Sequence, residues 1–217
     1  VGPKTWNDIW LNEGFATYSE ALYAEAKHGK DGLISKMQSK FSDSFRGTLY
    51  APKDLFGETV YEKGAWVLHM LRYEIGDSSF FKSLHNYYDL YKYSNASVED
   101  FKAVCEDVSG TNLDKFFDQW IYTGTENILC SYTFEILKTE NGSECTVKLF
   151  QEPQDYDEFH FPLEIKFDFA DGSSAIQKVY VDEIEEEFKF KLDGEIEIIH
   201  LDPDSRLLGT FEKSYSR

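Results

Sequence analysis

The chain has few cysteines and few bases. Cys105, Cys130 and Cys145 are the only thiols in 217 residues. They are too few and too widely spaced for a disulfide scaffold or a zinc-finger pattern. Lys and Arg number 22 against 40 Asp and Glu, a formal net charge of −18. That sign repels nucleic-acid phosphates and anionic lipid headgroups, so neither is an expected partner. No run of about 18 apolar residues is present to span a membrane. The opening residues show no basic-then-apolar signal. There is no Gly-rich phosphate loop, no Ser–His–Asp order and no Cys–His nucleophile pattern. The five histidines (His28, His69, His85, His160, His200) include no i, i+4 pair, and each reads as a surface or packing residue. Val1-Gly2-Pro3-Lys4 is an unusual start, and the chain is expected to be a piece of something longer. The compartment stays open. The Asn-x-Ser sequons at Asn95 and Asn141 would matter only in a eukaryotic secretory protein.

What is present suits a packed core: 41% hydrophobic and 17% aromatic residues, too apolar for a disordered tail. The character changes near residue 125. Up to there, 18 acids face 13 bases; beyond it, 22 face 9. Residues 1–125 carry helical signals. Thr5 or Asn7 caps a helix running through Trp10, Phe15, Tyr18 and Leu22 to about Ala26, ended by His28-Gly29. Further helices are expected over about 32–45, 59–73, from Ser78 or Ser79 through Tyr88, from Ser97 to Val108, and over about 113–122. Ser97-Val98-Glu99-Asp100 resembles a capping box. Tyr87, Tyr88, Tyr91 and Tyr93 read as a packing face and its surroundings. Residues 126–217 alternate with period two over about 129–137, 145–150, 161–169, 175–181, 188–192 and 196–201. Asn141-Gly142, Asp171-Gly172 and Asp193-Gly194 separate some of these runs and suit tight hairpin turns. The acidic run 182–187 reads as a solvated turn. The expectation is α+β: a helical module, 1–125, followed by a small antiparallel β-sandwich, 126–217.

The most informative stretch is Trp10-Leu11-Asn12-Glu13-Gly14-Phe15-Ala16. Glu13 sits among aromatic residues, and a buried carboxylate must be paired or metal-bound to stay ionised. The Gly after it costs a helix about 1 kcal/mol relative to Ala and suggests a close approach by another backbone or a ligand. On pattern alone, a solvated helix glutamate remains the simpler account.

The stretch resembles the aminopeptidase N family of zinc metallopeptidases, the gluzincins. In that family a His-Glu-x-x-His helix is followed eighteen residues later by a Glu in a Trp-Leu-Asn-Glu-Gly-like motif. Val1–Asp8 resembles the link between the two. The resemblance implies that Glu13 is the third protein ligand of a catalytic zinc. It places the second zinc histidine seven residues before Val1, outside this sequence. Thr59-Val60-Tyr61-Glu62-Lys63-Gly64-Ala65 resembles the family's Tyr-x-Lys-Gly segment, 48 residues after Glu13. It implies that the Tyr61 hydroxyl hydrogen-bonds the tetrahedral oxyanion. Glu20, two turns after Glu13, is a candidate to accept from a zinc histidine's second N–H, against the alternative of a surface glutamate. Phe116–Gly124 resembles the family's end-of-domain Trp and Thr-Gly-x-Pro, with Glu126 where Pro is common. Gln151, Phe161-Pro162-Leu163 and Leu201-Asp202-Pro203 echo its β-sandwich domain.

The implied function is a fragment of a zinc aminopeptidase acting on peptide substrates. One ligand of three makes the isolated chain an inactive one. The alternatives are a non-catalytic binding or scaffolding relative with the same fold, and a plain structural module.

Overall fold

A computed structural model describes residues 1–153 and 155–214. They cluster into two compact units: Val1–Asn127 with Ser205–Leu208, and Ile128–Asp204 with the residues from Gly209 on.

The first unit is helical. Thr5 closes a capping box with Asp8 over a 3-10 turn, Trp6–Asp8. The helix α1 (Trp10–Gln38) follows and is broken at Gly29, whose φ of 68° is open to glycine without strain. The break falls where His28-Gly29 predicted a stop. Helical structure then ends at Gln38, short of the expected Phe45. Beyond it Ser39 Oγ donates to the Lys36 carbonyl and Ser42 pairs with Ser44, local bonds that compete with a continued helix. A five-residue π-turn, Thr59–Lys63, leads into α2 (Gly64–Ile75). Residues 64–73 of α2 are all buried, so this is the central helix of the unit. Gly76 ends it, and α3 (Asp77–Tyr91) and α4 (Val98–Ser109) follow. The Ser97–Asp100 capping box of α4 is present, with both bonds made. Last come α5 (Asp114–Phe117) and a second π-turn, Asp118–Tyr122.

Two short strands, β1 (Gly2–Pro3) and β2 (Asn95–Ala96), pair in parallel. Asp8 reinforces that join. Its buried carboxylate accepts from the Thr5 N–H and hydroxyl through Oδ2 and from the Val98 N–H through Oδ1. An aromatic cluster centred on Phe101 of α4 gathers Trp10 and Phe15 of α1, Tyr87 of α3 and Phe117 of α5, with centroids 5.1–6.5 Å apart. Each such buried side chain contributes about 1.5–3 kcal/mol.

The second unit holds β3 (Ile128–Thr139), β4 (Gly142–Gln151), β5 (Phe161–Phe169), β6 (Ser174–Val181), β7 (Glu185–Leu192), β8 (Ile196–Leu201) and β9 (Gly209–Lys213). The sheets run β7-β4-β3-β9 and β6-β5-β8. Phe167 meets Phe190 and Phe161 meets Phe211 between them, as in a sandwich. Pairing is antiparallel except that β9 lies parallel to β3. Two turn expectations change. Asp193-Gly194 joins strands of different sheets rather than a hairpin. The acidic run is a turn only to Ile184, since Glu185–Glu187 pair with Lys148–Phe150 of β4. The buried Gln151 amide donates to the Phe159 and Glu183 carbonyls while its oxygen accepts from the Phe159 N–H, fixing the approach to β5.

Candidate functional site

Glu13 lies in the first turn of α1 and Tyr61 in the π-turn before α2. Both are half-buried. A π-turn inserts one residue into the helical ladder, re-aims side chains and is frequent at functional sites. Here it sets the Tyr61 phenol on the Glu13 carboxylate. Partial desolvation, then the Glu13 charge, then a hydrogen bond to that carboxylate raise the phenol's pKa above its ordinary value. Two groups 48 residues apart in sequence thus share one place.

The elements meet there with no side chain between them. A Cβ on Gly14 would lie 3.0–3.2 Å from the carbonyl carbon, Cα and oxygen of Gly64. One on Gly64 would lie 3.0 Å from Gly14 Cα. The glycine beside Glu13 therefore marks close approach by another backbone, one of the two options its position suggested.

Farther along, charge clamps the same helices. Arg72 of α2 makes a bidentate pair with Glu25 of α1 (2.7 and 2.9 Å) and another with Asp77 at the start of α3 (2.9 and 2.7 Å). Burial opposes the Arg72 charge, but the two carboxylates outweigh it and keep the guanidinium protonated. Tyr18 Oη lies 3.1 Å from His69 Nδ1. Burial pushes the Tyr18 phenol up to about 12. Burial, then the Arg72 and Arg206 charges, push His69 down to about 4. This histidine is neutral and structural.

Glu20 is exposed, and its carboxylate accepts from Lys40 (2.9 Å) and lies 3.1 Å from Lys36. Those bonds hold its pKa below the usual carboxylate value. Residues that sequence reasoning passed over surround it. Lys40 is itself buried, and desolvation raises the pKa of the half-buried Glu62 next to Tyr61. Lys63 has no exposed surface, and its Nζ donates to the Gly124 carbonyl at 2.9 Å. A lysine between a motif tyrosine and a close-packed glycine was the available signal.

Among the described residues, no group of three or more His, Cys, Asp and Glu side chains could hold a metal ion. Glu13 offers one carboxylate oxygen ligand where a catalytic zinc takes three protein ligands. Its chemistry fits one corner of such a centre, and this chain does not complete it. The cysteines give no substitute: burial pushes the Cys105 and Cys130 thiols up to about 12 and Cys145 to about 11, well away from the thiolate form. Among the described residues, no helix is long and apolar enough to cross a membrane.

Residues 1–120 match the Peptidase family M1 domain. The "Probable aminopeptidase 2" of Sulfurisphaera tokodaii is 34% identical over 136 residues, which cover 56% of this chain and 17% of the relative. "Aminopeptidase N" of Streptomyces lividans is 29% identical over 148 residues, 59% of this chain and 17% of the relative. The chain thus spans about a sixth of the length of these curated relatives. A crystal structure of Legionella pneumophila aminopeptidase A in complex with aspartic acid superposes with a TM-score of 0.80, covering 99% of this chain and 25% of that one at 18% identity. At that identity the likeness speaks for the fold.

Proposed function

Because the chain belongs to peptidase family M1, we propose that it is the third-ligand and oxyanion side of a zinc aminopeptidase. The substrates are peptides, shortened by one residue from the N-terminus. Residues 1–125 form the helical end of the catalytic domain in this reading, and 126–217 the β-sandwich after it. The observation that carries the proposal is the meeting of Glu13 and Tyr61.

Each residue has a defined task. Glu13 donates a carboxylate oxygen to the metal from a rigid helix. Zinc so held supplies Lewis acidity and lowers the pKa of its water to about 7. The Tyr61 hydroxyl, which donates to Glu13 in this chain, turns its hydrogen bond to the carbonyl oxygen of the scissile bond as that oxygen gains charge. Removal of one such donor costs about 10²–10³ in kcat. Glu20, if it orients a zinc histidine, does so in exchange for at least one of its lysines.

The test uses the longer polypeptide that this reading implies. Glu13→Ala is expected to lose both zinc, read by metal analysis, and peptidase activity. Tyr61→Phe should keep zinc and lose kcat by about 10²–10³. Unchanged metal content and activity in Glu13→Ala would sink the reading. The 217-residue chain alone should not hydrolyse aminoacyl substrates, and robust turnover by it would contradict the one-ligand argument.

A further inference from the structure

We propose that Gly14 and Gly64 are positioning residues of the site: their backbone contact sets the distance between Glu13 and Tyr61. The inference rests on the roles given above to those two side chains. Gly14 directly follows Glu13 in α1. Gly64 opens α2 where the π-turn carrying Tyr61 ends, and its N–H closes that turn on the Thr59 carbonyl. The two main chains touch there directly. A flexible side chain at such a crossing adjusts by changing rotamer, whereas two backbones in van der Waals contact have no such freedom. Glycine within a helix carries a conformational cost, and a crossing this close is what offsets it.

The consequence of adding a methyl group differs at the two positions. At Gly14 it meets three backbone atoms of Gly64 at 3.0–3.2 Å, none of which can swing aside. At Gly64 it meets only Gly14 Cα at 3.0 Å, and its next neighbours lie at 3.6 Å and beyond. Gly64→Ala is therefore the gentler variant. In either case the helices must part, and Glu13 and Tyr61 part with them. An alanine elsewhere in a helix interior would raise stability, so even the sign of the effect is informative.

The experiment has two arms. In the 217-residue chain labelled with 3-fluorotyrosine, the Tyr61 fluorine resonance is assigned by its loss in Tyr61→Phe. Gly14→Ala and Gly64→Ala should move it toward the position it takes in Glu13→Gln. Val104→Ala in α4, a buried site away from this crossing, should leave it in place at a comparable loss of thermal stability. In the longer polypeptide, Gly64→Ala should lower kcat about tenfold with KM nearly unchanged, the pattern of a misplaced group. An unmoved Tyr61 resonance in the alanine variants, or an equal shift in Val104→Ala, overturns the proposal. If Gly14→Ala does not fold, Gly64→Ala decides. The two readings fail separately. Glu13→Ala with zinc intact removes the proposed function, whereas zinc and activity lost in Glu13→Ala but fully retained in Gly64→Ala removes only the positioning role.

Discussion

The two units bury different things. The β unit buries apolar ladders: Cys145, Val147 and Leu149 on β4, and Leu163, Ile165 and Phe167 on β5, with Ser143 and Gln151 as its buried polar side chains among the described residues. The helical unit buries Asp8, Lys40, Lys63, His69 and Arg72. Burying a charge is costly unless it is paired, so a unit that retains several is constrained by geometry as well as by apolar burial. In the helical unit those charges lie on or against the helices that carry Glu13 and Tyr61. The lesson is that a β-sandwich can be specified by pattern alone, whereas a site needs particular atoms at particular places.

The contrast can be broken in several ways. The largest effect is expected from Ile165→Ala in β5, a wholly buried position. A loss of about 2–5 kcal/mol, read as the denaturation midpoint of the β-sheet circular dichroism signal, is the usual cost of such a cavity. Arg72→Leu should cost about 3 kcal/mol, the lower end for a broken buried pair, since Asp77 keeps much of its solvent. Trp6, Trp10, Trp66 and Trp120 all lie in the helical unit, so their fluorescence reports on it. A loss below 0.5 kcal/mol would show that charge does not hold these helices.

Acid should single out the helical unit next. The folded pKa of His69, about 4, lies below its ordinary 6.5. The unfolded chain therefore takes up this proton first as pH falls. The stabilisation is fully present above pH 6.5 and is lost on descent to about pH 4, about 3 kcal/mol in all. His69→Gln should flatten that part of the stability profile; an unchanged slope would mean that another group governs it. The smallest effect is expected at Glu20. Its carboxylate is about half exposed, so Glu20→Gln should change stability by less than about 1 kcal/mol, and less still at high salt.

What was legible in the sequence follows the same division. Strands β5 and β8 lie where period-two alternation put them, and the break at Gly29 and the Ser97 capping box are local chemistry read locally. Strand β9 was not foreseen. It is five residues long, and its partner is β3, eighty residues earlier in the chain. The short β1–β2 pair escaped for the same reason. At the site, Glu13 and Tyr61 were found through motifs, but their contact was not, because the π-turn and the Gly14–Gly64 crossing exist only in three dimensions. Glu20's two lysines arrive from beyond the break at Gly29, where helical periodicity from Glu20 no longer predicts neighbours.

Asp8 has a consequence for how the helical unit comes apart. One carboxylate seals the chain's first turn and also the start of α4, ninety positions later. Fraying at the amino-terminal end would release the Val98 amide as well, so hydrogen exchange at these two distant spots should rise and fall in step. The opening octapeptide behaves as a latch on the far helix rather than as a loose leader.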